Sequence, residues 1–509
     1  MYTATFDVGT TALKAVVVTD RGEAVFSGSQ ELHTIENGSF REQDPEEWYQ
    51  VFCRLSGEIL ERVPSDGLRA VILSGQMQDV IPVDSQGKAI GNAILYSDGR
   101  AKQEARDICS LLPGGETRAA QITGNHLDGS MPLAKIRWLM NHKRACYERA
   151  ACFLISSKDY IIGRLTGSFV GDVTACSTAG LMDLEKKCWS RELAAAAGLD
   201  PEKLPRLLRS HELAGRVTVQ GAADTGYPAG LKVYAGVGDA GAATLASGIL
   251  RPGEYNIHLG TSSWVAAVSD GFMDAQDGGF NLASMETGTY INVVPFLNGG
   301  NVHRFLGRLL SREHGRPDYE YLSMLLAESV PGSHGLFCLP YLTGERFPVM
   351  DGEVRGGFLG LGQETSAADL VRSALEGVAC SIRQGLERFL VPPEKITLIG
   401  GGAREEAWCR IISSVIGRPV YVYQEPERLP ALALASAVHL AEGLIESYEA
   451  FVSALEAEDG CMKIDPEPGT KRIYDEIYGK YRRLYPMVKE FFREGQPEEK
   501  SVCKVDGGP

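Results

Sequence analysis

Apolar and polar residues alternate in short runs along the chain, and two of these runs have the same pattern. Residues 1–20 predict an apolar strand, a turn at Gly9-Thr10-Thr11 and a second apolar strand. Residues 255–268 predict the same hairpin around the turn Gly260-Thr261-Ser262. A hairpin that recurs about 250 residues later predicts two similar lobes that face each other.

The composition of the two turns predicts an anion site. Glycine lets the backbone approach a ligand, and successive N–H groups with threonine or serine hydroxyls form a concavity that binds anions. Two facing turns could therefore hold the two ends of a polyphosphate. A single Gly-Thr-Thr turn is common between the strands of a hairpin, so the prediction depends on the repetition.

An acidic residue follows an apolar strand near the middle of the chain. Residues 233–237 predict a strand that breaks at Gly238-Asp239, and residues 240–247 predict a helix of small side chains. Because a rigid strand end often opens into a crevice where chemistry occurs, Asp239 is our candidate catalytic group. The alternative is that Asp239 only caps the helix that follows it.

Two further strand ends present polar side chains. The predicted strand 70–73 runs towards Gln76, Met77 and Gln78, and a later strand end carries Asp98. Amide and carboxylate groups in fixed positions suit a ligand with many hydroxyl groups. The alternative for Asp98, which precedes a glycine, is a plain turn.

A glycine run joins a strand to a helix late in the chain. Residues 395–399 predict an apolar strand, Gly400-Gly401-Gly402-Ala403 follow it, and residues 405–416 predict a helix. Bare backbone at a helix start can receive a phosphate or a flat ligand. A tight turn between strand and helix explains the same residues nearly as well.

Composition and charge narrow the classes of function. The chain has 509 residues, 44% of them apolar, which is enough for two sizeable cores. A formal charge of -15 disfavours nucleic acid and anionic membrane surfaces as partners, so a small neutral substrate fits better. No apolar run reaches the ~18 residues that a membrane span needs. The 11 cysteines are scattered without a Cys-x-x-Cys pair, so we expect reduced thiols in a cytoplasmic protein rather than a zinc or redox site.

Several separated motifs occur in a fixed order. The Asp-Val-Gly-Thr-Thr run that starts at Asp7, then Asp239, the second turn and the glycine run are accompanied by two longer stretches. These are Ser130-x-Pro132-x-x-Lys135-Ile136-x-Trp138-Leu139-x-Asn141-His142, and Gly356-x-Phe358-x-Gly360-Leu361 followed by Asp369-Leu370 and Ser373-Ala374-Leu375-Glu376. Through these motifs, which span roughly residues 1–490, the chain resembles the FGGY carbohydrate kinases.

Within this family the resemblance is nearest to the xylulokinases. The similar runs are Glu42-Gln43-Asp44-Pro45, Ser74-Gly75-Gln76-Met77, the run from Leu339 to Arg346 and the run from Thr397 to Arg404. Three departures occur: Gln78-Asp79 stands where those enzymes usually have His-Gly, Tyr96-Ser97-Asp98 replaces Trp-Asn-Asp, and residues 431–437 lack a common glycine. The first two departures leave the identity of the sugar open.

The resemblance implies an α/β fold with two ribonuclease-H-like lobes, of the actin and Hsp70 type, and a cleft between them where ATP and sugar meet. It implies an N-terminal lobe over residues 1–245, a C-terminal lobe over 246–490 and a polar tail over 491–509. In this interpretation Asp239 is the catalytic base and Asp7 helps to hold Mg2+. The phosphates would contact Gly9, Thr10, Thr11, Lys14, Gly260, Thr261 and Ser262; the adenosine would contact Gly400, Gly401, Gly402 and Ala403; and the sugar would contact Gln76, Met77, Gln78, Asp98 and Asp239.

The implied reaction is ATP-dependent phosphorylation of a ketopentose, with D-xylulose converted to D-xylulose 5-phosphate. Ribulose, erythritol and fuculose are alternative substrates. A nucleotide switch on the same two-lobed scaffold is a competitor from another class, and a dinucleotide-dependent dehydrogenase is a weaker one because the late glycine run lacks Gly-x-Gly-x-x-Gly spacing. A homodimer is a family-level expectation only.

Overall fold

The computed structural model describes residues 1–275, 278–312, 316–423, 428–459 and 461–493. Residues 491–493 end the last helix, and the remainder of the predicted polar tail, residues 494–509, lies outside the described residues.

The first lobe is built on a mixed sheet. Its strands within the described residues are β1 (Tyr2–Val8), β2 (Ala12–Thr19), β3 (Ala24–Glu31), β4 (Leu68–Gly75), β5 (Leu213–Arg216), β6 (Lys232–Tyr234) and β7 (Val237–Gly238). Strands β1, β2 and β3 form an antiparallel meander, β4 pairs parallel to β1, and both β6 and β7 pair parallel to β4. Strand β5 closes the far edge, antiparallel to β6.

The second lobe repeats this arrangement. Its strands within the described residues are β8 (Glu254–Leu259), β9 (Ser263–Ser269), β10 (Phe280–Ala283), β11 (Tyr290–Phe296), β12 (Lys395–Ile399), β13 (Val420–Val422) and β14 (Met462–Ile464). Strands β8, β9 and β11 form the antiparallel meander, and β12 and β13 follow as parallel strands. The predicted fold of two ribonuclease-H-like lobes is therefore confirmed.

One strand prediction is wrong in detail. Residues 233–237 do not form one strand, because the chain leaves the sheet between β6 and β7. Gly236 has a φ of +66°, and a Cβ there would lie 1.8 Å from the carbonyl oxygen of Leu73. Only glycine allows this close passage beside β4.

Helices surround both sheets. The α-helices in the described residues are Pro45–Leu60, Lys102–Leu111, Gly115–Thr123, Pro132–His142, Arg144–Arg149, Ser157–Thr166, Val173–Cys176, Arg191–Ala197, Val219–Thr225, Asp239–Ala246, Gly300–Leu309, Tyr319–Glu328, Ala367–Leu386, Glu406–Ile416, Leu429–Ala441, Tyr448–Asp459, Lys471–Tyr481 and Leu484–Arg493. Single 3-10 turns occur at Ser65–Gly67, Pro201–Lys203, Ser333–Gly335 and Gly401–Arg404. Among these described helices, none combines the length and the apolarity needed to cross a membrane.

Short strands complete the structure outside the two main sheets. They are Ile35–Asn37, Phe40–Gln43, Ile81–Val83, Ala93–Ile94, Cys152–Leu154, Val170–Asp172, Met182–Asp183, Cys188–Trp189, Arg206–Leu208, Phe337–Leu339 and Gly357–Leu359. Helices of the first lobe between Lys102 and Ala197 form a second apolar core beside these strands.

Among the described residues, several contacts join the two lobes. Helix Asp239–Ala246 packs against helix Leu429–Ala441, which also lies on β1, β2 and β4 of the first sheet. Elsewhere, Asn125, which follows helix Gly115–Thr123, donates from Nδ2 to the carbonyl oxygen of Asn281 at 2.9 Å and accepts from its N–H at 2.7 Å. These contacts set the strand ends of both lobes towards a common cleft.

Candidate functional site

The first turn is fastened by side-chain amides. Thr10 Oγ1 donates to Gln76 Oε1 at 2.7 Å, and Gln76 Nε2 donates to Gln43 Oε1 at 3.1 Å. Gln43 Nε2 closes the ring by donating to the carbonyl oxygen of Thr10 at 2.7 Å. Gln76 therefore links the turn between β1 and β2 to the end of β4, while the Thr11 side of the turn stays exposed.

Two carboxylates lie beside this turn. Asp7 is the penultimate residue of β1 and accepts from Ser74 Oγ at 2.8 Å, and its register partner in β2 is the exposed Lys14. Asp239 directly follows β7 and accepts from the N–H of Ala240 at 2.7 Å. Desolvation by the surrounding protein, and next the negative charge of Asp7, raise the pKa of Asp239 to about 7, although its side chain remains open to solvent.

A buried ion pair holds the backbone that presents Asp239. Asp172 Oδ1 accepts from the N–H of Gly238 at 3.3 Å, and Lys158 Nζ lies 2.8 Å from Asp172 Oδ2. Both partners are fully buried, and two nearby carboxylates, Asp159 and Asp172, raise the pKa of Lys158 against the opposing effect of burial. The burial of Lys158 was not expected from the sequence, because a charged residue in a helix ordinarily faces solvent.

The end of β4 presents the residues expected to face the sugar. Gln78 is half-buried and adopts a φ of 64°, and Lys135 Nζ donates to its carbonyl oxygen at 3.0 Å. Met77 is buried and packs with Leu282 of the second lobe. The motif lysine therefore fixes an unusual backbone conformation at this strand end.

Asp98 lies in the same region with both carboxylate oxygens engaged. It is fully buried, and Arg100 donates to Oδ1 from Nε at 2.9 Å and to Oδ2 at 2.6 Å. The N–H of Arg41 also donates to Oδ2 at 2.7 Å. A direct contact between Asp98 and a sugar stays a prediction, and the structure places Arg100 beside it.

Asp79, which sequence analysis noted only as a departure, is completely buried. Its Oδ1 accepts from the N–H of Tyr96 at 3.2 Å, and within the described residues its Oδ2 has no hydrogen-bond partner. Burial raises the pKa of this carboxyl well above its ordinary range, against the attraction of Lys135. In the sequence, the only indication of this buried acid is that Asp79 stands where xylulokinases usually have glycine.

The second turn packs against the start of a helix. The N–H of Gly300 donates to the carbonyl oxygen of Gly260 at 2.7 Å, and the N–H of Asn301 donates to that of Thr261 at 3.0 Å. A Cβ on Gly300 would lie 2.5 Å from the oxygen of Gly260. Helix Gly300–Leu309 therefore supports the turn between β8 and β9 at backbone contact.

A cavity of about 560 Å³ joins the second turn to the glycine run. Its lining residues are Leu259, Gly260, Thr261, Gly300, His303, Arg304, Tyr319, Gly401, Gly402, Arg404 and Glu405. Gly260, Thr261, Gly401 and Gly402 are thus brought together, whereas Ser262, Gly400 and Ala403 flank the cavity without lining it. The residues from helices Gly300–Leu309 and Tyr319–Glu328 were missed, because helical spacing shows that a helix exists but not what its faces meet.

The sequence matches known proteins over nearly its full length. The profile of the N-terminal domain of the FGGY family of carbohydrate kinases matches residues 2–246, and that of the C-terminal domain matches residues 255–433. A xylulose kinase from Staphylococcus xylosus is 29% identical over 95% of this chain and 99% of its own length. A gluconokinase from Bacillus subtilis is 28% identical over 88% of this chain and 89% of its own length.

A solved structure gives the same result. The crystal structure of xylulose kinase from Rhodospirillum rubrum superimposes with a TM-score of 0.87 at 27% identity, covering 97% of this chain and all of that one. Both matching profiles describe carbohydrate kinases, so the nucleotide-switch and dehydrogenase alternatives are set aside. The chain belongs to the FGGY family of carbohydrate kinases and is a sugar kinase.

Proposed function

We propose that the enzyme transfers the γ-phosphate of ATP to D-xylulose and forms D-xylulose 5-phosphate. The observation that carries the chemistry is the position of Asp239 at a strand end beside Asp7 and the first turn. The choice of sugar is supported by relatives named xylulose kinase. Gluconate is the second candidate, because a relative of nearly equal identity is named gluconokinase.

Asp239 is the proposed base. A carboxylate whose pKa is raised to about 7 can accept the proton of the attacking hydroxyl near neutral pH better than an ordinary aspartate. Phosphoryl transfer needs little covalent help, so the remaining task is to position the reactants and offset charge. Lys14, the register partner of Asp7 in the hairpin, would offset phosphate charge from the edge of the site.

The residues at the first turn fit Mg2+. Magnesium ions are commonly held by one or two carboxylates together with waters and substrate phosphates. Asp7 supplies such a carboxylate, and among the described residues there is no cluster of three or more metal-ligating side chains that would indicate a dedicated metal cage. When bound, Mg2+ would neutralise charge on the β- and γ-phosphates.

The two turns divide the remaining roles in the proposal. Gly9, Thr10 and Thr11 contact the transferred phosphate, and Gly260, Thr261 and Ser262 contact the phosphates nearer the nucleoside. The adenosine lies in the 560 Å³ cavity against Gly401 and Gly402, and Gly400 and Ala403 flank it. On the sugar side, Gln78 contacts hydroxyl groups, whereas Gln76, Met77 and Asp98 shape the wall from positions that the fold already holds.

A substrate panel tests the proposal. ADP release is measured with ATP and Mg2+ on D-xylulose, L-xylulose, D-ribulose, L-ribulose, D-gluconate, glycerol, erythritol and L-fuculose. We expect the highest kcat/KM on D-xylulose, by at least an order of magnitude. A higher value on gluconate or another polyol would refute D-xylulose and place the specificity difference at Gln78 and Asp79. No activity on any sugar would contradict the proposal as a whole.

His303 provides a prediction for the nucleotide cavity. Its buried ring lies between Tyr319 and Trp408, with centroids 5.1 and 5.5 Å away. Burial lowers its pKa, and within the described residues its Nε2 has no hydrogen-bond partner. In the proposal Nε2 forms a hydrogen bond to the bound nucleotide. We expect His303→Phe to remove this bond, worth about 1 kcal/mol, and so to raise KM for ATP roughly fivefold, with KM for the sugar unchanged. Steady-state kinetics measure both constants, and His334→Phe at the surface is the control. An unchanged KM for ATP would show that the ring only packs.

We also propose that the enzyme works in the cytoplasm. The ten cysteines in the described part of the chain are free thiols, which is typical of a reducing compartment such as the cytoplasm. The lobe boundaries at residues 245 and 490 and the homodimer stay predictions, which limited proteolysis and light scattering test directly.

A further inference from the structure

The motif Gly344-Glu345-Arg346 has no role in the chemistry described so far. Glu345 is only 1% exposed, and desolvation raises its pKa to about 7. Such burial is costly for a carboxylate unless hydrogen bonds compensate it. The partners of Glu345 therefore indicate what the motif does.

Two of its three partners, Leu297 and Asn298, lie just before helix Gly300–Leu309. Glu345 Oε1 accepts from the N–H of Leu297 at 2.6 Å and from the N–H of Arg346 at 2.8 Å. Glu345 Oε2 accepts from Asn298 Nδ2 at 2.9 Å. The carboxylate thus holds both the backbone and the side chain of the segment that leads into the helix.

Asn298 is fixed in one orientation by its other bonds. Its Nδ2 also donates to the carbonyl oxygen of Gly344 at 2.7 Å, and its Oδ1 accepts from the N–H of Leu342 at 2.9 Å. A flipped amide would set its NH2 group against the Leu342 N–H and its oxygen against the Gly344 oxygen. The Glu345–Asn298 contact is therefore a defined link rather than one of two interchangeable arrangements.

The segment held in this way is the one that supports the second phosphate turn. Gly299 follows Asn298 directly, and a Cβ on it would lie 1.9 Å from Ser263 Oγ. The next two residues, Gly300 and Asn301, donate to the carbonyl oxygens of Gly260 and Thr261 at 2.7 and 3.0 Å. A shift of Asn298 must move these donors, because no side chain separates the segment from the turn.

We infer that Glu345 is a positioning residue that acts through Asn298 to hold the Gly260-Thr261 turn in the geometry that binds the phosphates of ATP. Glu345 does not line the nucleotide cavity. The inference rests on the proposed function in one respect, namely that this turn binds phosphate. It makes the second phosphate site depend on an acid about 85 residues further along the chain, held in place by packing rather than by local sequence.

Glu345→Gln tests the link with minimal change of shape. Glutamine can still accept from Leu297 and Arg346, but its NH2 group then faces the fixed NH2 group of Asn298. We expect KM for ATP and the dissociation constant of ADP to rise roughly tenfold, the loss of one hydrogen bond to a charged group. KM for the sugar should stay within a factor of two, and the melting temperature should remain close to that of the wild type. Glu364→Gln, which changes an exposed glutamate, is the matched control.

The double variant Glu345→Gln with Asn298→Asp separates positioning from general damage. Aspartate at 298 can accept from the glutamine NH2 group and from Leu342, so this link is restored with its polarity reversed, but the bond to the carbonyl oxygen of Gly344 is lost. We expect the double variant to recover part of the lost ADP affinity and to bind ADP more tightly than either single variant, whereas Asn298→Asp alone should weaken binding.

Calorimetric titration of ADP measures the effect without any sugar. The inference is overturned if wild type and Glu345→Gln bind ADP equally, or if the single variant raises both KM values together and the double variant recovers neither. Wild-type protein that binds ADP but phosphorylates no sugar would refute the substrate proposal alone. Wild-type protein that binds no ADP would refute both.

Discussion

Asp239→Asn is expected to lower kcat for sugar phosphorylation by about 10³-fold, because general acid–base catalysis typically contributes 10²–10⁴-fold. Asparagine has the shape of aspartate and can keep the 2.7 Å bond from the N–H of Ala240, but it cannot take up the hydroxyl proton. The measurement is sugar-dependent ADP release at saturating ATP, with Asp66→Asn in an exposed turn as the control. Turnover near the wild-type rate would refute the assignment of the base.

The same variant distinguishes a catalytic carboxylate from a helix cap. The folded-state pKa of Asp239 is raised from 3.8 to about 7, so the folded protein holds a proton that the unfolded chain releases. The protonated carboxyl therefore makes its full contribution to the free energy of unfolding below pH 3.8, and this contribution is lost as the pH rises through about 7. Asparagine stays neutral, so the melting temperature of the variant should exceed that of the wild type most clearly above pH 7 and converge with it towards pH 4. A variant less stable at every pH would favour the cap.

The sequence was sufficient to predict an element where a single segment contains the whole pattern of that element. The strand Lys395–Ile399 was predicted with its observed ends, and both turns lie between paired strands as expected. Local chemistry decides such features, because the apolar run, the glycine and the polar flank are neighbours in the chain. The recurrence of the hairpin then predicted the two-lobed architecture, since a duplicated lobe repeats its most recognisable element.

The sequence was insufficient where distant segments meet. The break between β6 and β7 depends on the passage of Gly236 over the backbone of Leu73, which is 163 positions away in the chain and adjacent only in the sheet. The same holds for Asp98, whose carboxylate accepts from the N–H of Arg41, 57 positions away in the chain. No periodicity encodes which buried polar group finds which partner.

In the candidate site, too, the sequence predicted some residues, and only the structure shows the others. The residues that contact phosphate in our proposal are glycine, threonine and serine in turns, and the sequence predicted them because the backbone itself binds the ligand. The residues that hold those turns, Gln43, Asn298 and Glu345, are ordinary polar side chains in the sequence. Their importance follows from burial and hydrogen bonding, which only the folded structure shows.

Gly300→Ala is expected to lower kcat/KM for ATP roughly ten- to a hundredfold, because a misplacement of about 1 Å in a binding site can cost about 10²-fold. The added Cβ would lie 2.5 Å from the carbonyl oxygen of Gly260, and a backbone oxygen cannot swing aside as a flexible side chain can. The turn or the helix start must therefore move, and the 2.7 Å bond between these two residues must weaken.

Gly57→Ala is the matched control for this substitution. Gly57 lies in helix Pro45–Leu60, is exposed, and has no atom within 4 Å of an added Cβ. Alanine there should raise the stability by up to ~1 kcal/mol and leave the kinetics unchanged. Steady-state kinetics over a range of ATP concentrations, at saturating sugar, compare the two variants. If Gly300→Ala keeps the wild-type kcat/KM for ATP, the Gly260-Thr261 turn does not position the phosphates; if it loses activity only through a raised KM for the sugar, the turn belongs to the sugar site instead.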